Sequence, residues 1–151
     1  MNESIRDIMT RDVETATFDM TIKDAARIMK DKDIGSLPVC EGRKVKGVVT
    51  DRDITIRAVA EGRDPASTRV VDVMTQEIVS VREDADLKEA EELMHDRQLR
   101  RLPVVNDQGE LVGYLAMAKI ARTESPEQAG KVIKGVSQPS KPEPMESYGQ
   151  R

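Results

Sequence analysis

The stretch IRDIMT, residues 5–10, returns at residues 70–75 as VVDVMT, and that return decides how the rest of the chain reads. Met9 falls on Met74, an offset of 65 residues. The same offset carries Asp19 to Asp84, Lys23 to Lys88, Ala25 to Ala90 and Met29 to Met94. It also carries Leu37-Pro38-Val39 to Leu102-Pro103-Val104. Aligning 5–39 with 70–104 gives 11 identities in 35 positions, against roughly two expected from ordinary residue usage. Most other pairs keep their character, as in Ile22/Leu87, Ile28/Leu93 and Ile34/Leu99. Pro38 to Gly47 is 9 steps and Pro103 to Gly113 is 10, so the second copy carries one extra residue. It falls in the segment CEGRK against VNDQGE, a turn, where length changes are tolerated. The chain is a tandem duplication.

Each copy reads as strand, helix, strand, strand, helix. Thr21 and Asp86 are candidate helix N-caps, with Asp24 and Glu89 placed three residues on to complete capping boxes. Ile22, Ala25, Ile28 and Met29 mark an apolar helical face, mirrored by Leu87, Ala90, Leu93 and Met94. SLPVC and RLPVV, a turn, then KVKGVVT and ELVGYLA read as antiparallel hairpins. Second helices are expected at Asp51–Ala60, closed by Gly62, and at Met117–Arg122. The expected organisation is repeat 1 at 4–62, a linker at 63–68, repeat 2 at 69–123, a helix at 124–135 and a disordered tail at 136–151. Ser125 as N-cap, Pro126 at the first helical position and Gln128 open that last helix. A 60-residue strand–helix unit buries too little surface to be secure alone. The expected fold is therefore α/β (α+β), with two β-α-β-β-α repeats packed about a pseudo-twofold axis and two related clefts between them.

Composition narrows the function. Among 151 residues, hydrophobic types are 38% and charged types 34%, with no Trp and 2% aromatics. Aromatic stacking platforms for single-stranded nucleic acid are thus missing, and a net charge of −4 lacks the basic footprint of a nucleic-acid binder. No apolar run reaches a membrane span, MNESIRDIMT lacks a signal-peptide core, and one cysteine, Cys40, makes no internal disulfide. A cytoplasmic protein acting without membrane or nucleic acid is expected.

One stretch of repeat 1 carries chemistry. In GVVTDRDI, Gly47–Ile54, an apolar strand stops at Thr50, and Asp53 follows three residues later. This is first a helix cap: Thr50 bonds the Asp53 N–H and Asp53 returns a bond to the Thr50 N–H, worth about 1 kcal/mol with no ligand. It is also where the inter-repeat cleft should open. There a carboxylate repels phosphate but suits a vicinal diol, accepting from two sugar hydroxyls as acidic residues do for ribose in dinucleotide folds. Both readings stay open on the residues alone.

Taken together, DIMT…GSLPV…GVVTDRDI and DVMT…RRLPVV…GYL resemble a pair of CBS domains (the cystathionine β-synthase motif), a Bateman module, over residues 4–122. The ordered combination is specific, although each fragment alone is weak. The wider match is similar to small bacterial stand-alone CBS-pair proteins with no attached enzyme. The resemblance implies a regulatory adenosine-nucleotide site in which Asp53 binds the ribose hydroxyls and Thr50 lies at ribose or phosphate. It further implies that Gly35, Ser36 and Leu37, with the opening of repeat 2 around Thr75–Ile78, line the adenine. A homodimer is also implied, helped by an apolar stripe of Ile54, Ala58 and Val59 in the second helix.

Repeat 2 departs from this pattern. Ala116 and Lys119 stand where Thr50 and Asp53 stand. Alanine cannot hydrogen-bond through its side chain, and lysine cannot accept from a diol. Arg100 and Arg101 replace Gly35 and Ser36; in the family such residues face phosphates near the module's centre, and the alternative is a solvated strand edge. One competent site and one degenerate site are expected. His95, the only histidine, and Cys40 make a poor metal set, no nucleophile–base set assembles, and EDADLKEAEEL reads as a solvated helix face. The expected function is non-catalytic sensing of AMP, ADP, ATP or a related adenosyl ligand, acting on an unknown protein target. The rival is a ligand-free dimeric scaffold that works through protein partners.

Overall fold

The computed structural model describes residues 4–123 and 126–136; Ser125 lies outside the described residues, as does all of the tail expected to be disordered (136–151) except Val136, which instead ends a helix and is buried. Two compact units divide the described chain, one of residues 14–78 and one of residues 4–13 with 79–136. The units are offset from the sequence repeats by one segment. The opening of repeat 2 packs with repeat 1, and the opening of repeat 1 packs with repeat 2.

In the 14–78 unit, helix α2 (Ile22–Lys32) is followed by the antiparallel hairpin β1 (Ser36–Glu41) and β2 (Lys44–Thr50). Thr21 caps α2 by accepting the Asp24 N–H at 3.2 Å. Asp33, with φ 55°, ends the helix in the left-handed conformation. The expected first strand is reduced to one parallel bridge, Ala16 to Val39. Helix α3 (Asp51–Ile54) continues as a π-helical stretch, Thr55–Val59, in which the Ala60 N–H reaches the Thr55 carbonyl at 2.9 Å. The short helix α4 (Val70–Val73) then returns across the unit. Ile22, Leu37, Val39, Val49, Ala58, Val70 and Val73 are all fully buried in one core, each large aliphatic contributing about 1.5–3 kcal/mol by leaving water.

The other unit repeats this plan. Helix α1 (Ile5–Ile8) takes the place of α4, and strand β3 (Val81–Arg82) runs parallel to β4 (Arg101–Val105). Helix α5 (Leu87–Arg97) ends at left-handed Gln98, which lies 65 residues after Asp33. Strand β4 pairs antiparallel with β5 (Leu111–Ala116), and helices α6 (Met117–Thr123) and α7 (Pro126–Val136) follow. Ile5, Met94, Leu102, Val104, Leu115 and Ile120 are fully buried in its core. The inserted residue is absorbed by the second turn. There the Asn106 side-chain oxygen takes the Gln108 and Glu110 N–H groups at 3.0 Å each, whereas the first turn closes at Gly42 with φ 62°.

Two expected features are corrected. Asp86 occupies the N-cap position of α5 but makes no side-chain cap bond, because the Glu89 N–H is taken by the Asp86 backbone carbonyl at 3.0 Å. The apolar stripe of the second helix is divided: Ala58 is fully buried and Ile54 packs on the same core, leaving Val59 62% exposed. The π-helical stretch changes the periodicity on which a continuous stripe depends.

Candidate functional site

At the junction of β2 and α3, Thr50 is extended (φ −118°, ψ 162°) and caps the helix. Its hydroxyl accepts the Asp53 N–H at 3.0 Å, and the Asp53 Oδ2 accepts the Thr50 N–H at 3.0 Å. The capping box expected from sequence is complete. Asp53 is only 8% exposed, and a third group reaches it: the Thr75 hydroxyl donates toward both carboxylate oxygens, 3.3 Å from each.

Thr75 comes from the opening of repeat 2. Its N–H donates to the Val48 carbonyl at 2.9 Å and its carbonyl accepts the Val48 N–H at 3.1 Å, adding an antiparallel bridge to β2. Gly47 makes this crossing possible, since a Cβ there would run into the Thr75 carbonyl oxygen and the Met74 terminal methyl. At the adjacent edge the Gly35 carbonyl accepts the Asp51 N–H at 2.9 Å, and a Cβ on Gly35 would meet Asp51 Oδ2 at 3.0 Å. Ser36 pairs with Thr50 across the hairpin and is buried.

Gly35, Ser36, Thr50, Asp53 and Thr75 therefore belong to one compact unit. Leu37 is in that unit but is fully buried in its core, so only its backbone is left for a ligand. Ile78, three residues beyond Thr75, is 53% exposed. One residue escaped the sequence reading. The Arg57 guanidinium donates through Nη1 to the carbonyls of Val73 (3.0 Å) and Met74 (2.9 Å), holding the segment that delivers Thr75. A single charge inside the apolar run ITIRAVA was its signal.

Arg100 and Arg101 lie in the other unit, both exposed, where the backbone plan is the same. The Met117 N–H donates to the Arg100 carbonyl at 2.8 Å, matching Asp51 on Gly35, and Arg101 pairs with Ala116 as Ser36 pairs with Thr50. Thr10 bridges Tyr114 as Thr75 bridges Val48. The second position thus keeps the backbone and changes the side chains. Cys40 is buried in β1, which pushes its thiol pKa upward.

Chemically, the Thr50–Asp53 position offers acceptors. An ionised carboxylate has about four lone-pair directions. The cap uses one of them, and the Thr75 hydroxyl shares its one proton over two more at long range. Among the described residues, Thr75 is the one donor to Oδ1. Such a group suits hydroxyl donors rather than phosphate oxygens, which its charge repels.

Two units of one plan, each with the DxMT segment of the other repeat bridged to its hairpin, define a tandem-repeat module with one acceptor-bearing position. A family model of the CBS domain matches residues 5–59 and 70–125, and the chain belongs to that family. It is 42% identical over 135 residues to the CBS domain-containing protein YhcV of Bacillus subtilis (strain 168), covering 89% of this chain and 95% of that one. The crystal structure of CBSX2 in complex with AMP is similar at 27% identity and a TM-score of 0.70, over 80% of this chain and 95% of that one. The CBS domain pair of protein MJ0100, in complex with 5′-methylthioadenosine and S-adenosyl-L-methionine, is similar at 26% identity and a TM-score of 0.70, over 80% and 94%.

Proposed function

We propose that this chain is a non-catalytic sensor that binds an adenosine nucleotide or related adenosyl compound at the Thr50–Asp53 position, and that it acts as a homodimer on a protein target. The carrying observation is the buried Asp53 carboxylate, whose Oδ1 is met only by the long Thr75 contact among the described residues. A ribose diol supplies the two donors that such a group lacks. Solved relatives that hold AMP, or methylthioadenosine and S-adenosylmethionine, support the ligand class. Thr50 would serve ribose or the first phosphate, and the Gly35–Leu37 backbone and Thr75–Ile78 would flank the base. For such binding to signal, the ligand must favour one arrangement of the protein over another.

A completed capping box also fits the ligand-free scaffold, because the Thr50–Asp53 pair has its structural partners without a ligand. Thermal melting separates the two. A ligand at 100 times its dissociation constant stabilises a fold by about 2.7 kcal/mol, which at about 2–4 °C per kcal/mol raises the melting temperature by roughly 5–10 °C. AMP, ADP, ATP or S-adenosylmethionine is expected to give that rise. An unchanged melt with all of them at millimolar concentration leaves the scaffold.

A further inference from the structure

Thr75 occupies the part of Asp53 that the proposed function assigns to the sugar. Its hydroxyl is 3.3 Å from both Oδ1 and Oδ2, well beyond the 2.5–2.7 Å usual for a hydroxyl on a carboxylate. One proton shared over two distant acceptors is weakly held. The Thr75 backbone, by contrast, is fixed. It exchanges two hydrogen bonds with Val48, its carbonyl oxygen fills the space a Gly47 side chain would need, and Arg57 holds the two preceding carbonyls. With the backbone held, the route by which the hydroxyl would leave Asp53 is rotation about χ1 rather than a shift of the chain. Threonine has few χ1 states, so that rotation is a discrete change.

We propose that the Thr75 hydroxyl is a displaceable stand-in for a ligand hydroxyl: an adenosine ligand binds only after Thr75 has rotated off Asp53, and that release is the first event binding produces in the opening segment of repeat 2. This rests on Asp53 being the ribose acceptor. The cap leaves about three lone-pair directions and Thr75 shares two of them, so a diol that needs two must take at least one from Thr75, and the threonine competes with the ligand. Its removal tightens binding, the opposite of what removing a ligand contact does.

The test is calorimetric titration of AMP, ADP, ATP and S-adenosylmethionine into wild type, Thr75→Val and Thr75→Ser, each shown by melting to be folded. Valine keeps the branched shape and loses the hydroxyl. It is expected to raise affinity about twofold to tenfold, the worth of one ordinary hydrogen bond, while Thr75→Ser stays near wild type. With a 2′,3′-dideoxy analogue of the bound nucleotide the advantage of Thr75→Val disappears, as a cycle on one contact requires. Equal or weaker binding by Thr75→Val overturns the inference and leaves the adenosine site standing. If no variant binds any of the four ligands, the underlying function falls and this inference with it. Should valine fail to fold, Thr75→Ala removes the same hydroxyl and is read the same way.

Discussion

At Asp53 one carboxylate serves two geometries. The same oxygen that closes the capping box, 3.0 Å from the Thr50 N–H, is shared with Thr75, so the cap and a bound diol use different lone pairs of one group. Asp53→Asn separates these roles. As a cap it costs up to about 1 kcal/mol of stability. As the ribose acceptor it weakens adenosine binding about tenfold to a hundredfold, by calorimetry on folded protein, while Lys119→Asn leaves affinity unchanged. A loss for Lys119→Asn with none for Asp53→Asn would place the ligand at the other position. The glycines give a paired expectation. A Cβ at Gly47 strikes the Thr75 backbone oxygen, whereas at Gly113 it first strikes the Sδ and Cγ of the Met9 side chain, with the nearest backbone atom, the Thr10 carbonyl oxygen, 3.1 Å away. Gly47→Ala is expected to cost about 1–3 kcal/mol and Gly113→Ala less, read from urea midpoints; the reverse order would count against the β2 crossing. Cys40 has a raised thiol pKa from burial. Its contribution to stability is complete below the unfolded thiol value, about 8.5, and declines as pH rises through the folded one. Native Cys40 is accordingly expected to react slowly with a disulfide reagent at pH 8 and fully in denaturant; equal rates would contradict its burial.

Among the elements, the hairpins and their flanking helices were legible because their signals are local. Alternation marks β2, a 3.6-residue face marks α2, and a common offset of 65 carries even the left-handed helix ends, Asp33 and Gln98. The exchange of opening segments was not legible as pairing. Thr10 with Tyr114 and Val48 with Thr75 are distant in sequence, and no periodicity encodes which hairpin a four-residue helix will join. The π-helical stretch hid for a similar reason. ITIRAVA has a helical face under either periodicity, and its one guanidinium reaches, through Nη1, carbonyls 16 and 17 residues away. Of the candidate site, the Thr50–Asp53 pair was readable from its spacing; Thr75 entered only through the family resemblance, at the adenine, and its hydroxyl contact with Asp53 follows no local pattern. Arg57→Met tests the element's grip on the α4 end. It removes both bonds and is expected to cost about 1–3 kcal/mol. An unchanged urea midpoint would show that Arg57 carries no load there.

For the molecule as a whole, the duplication explains why one family motif yields two unequal positions. Both units keep the backbone, down to the matching bonds of Asp51 to Gly35 and Met117 to Arg100, yet only one keeps a hydroxyl and a carboxylate at its helix start. The proposed homodimer draws on less apolar surface of this helix than the sequence suggests, because Ala58 is in the core and Val59 alone of that stripe stands well out. Light scattering is expected to give twice the 16.8 kDa chain mass, and a monomer at tens of micromolar would remove the homodimer. The central claim is that one adenosine ligand binds per chain, and calorimetric stoichiometry tests it most directly. Titration of AMP, ADP, ATP and S-adenosylmethionine into wild-type protein is predicted to give a saturable isotherm with at least one of them, at one site per chain. No binding heat from any of the four at several temperatures, or two equal sites per chain, would contradict it.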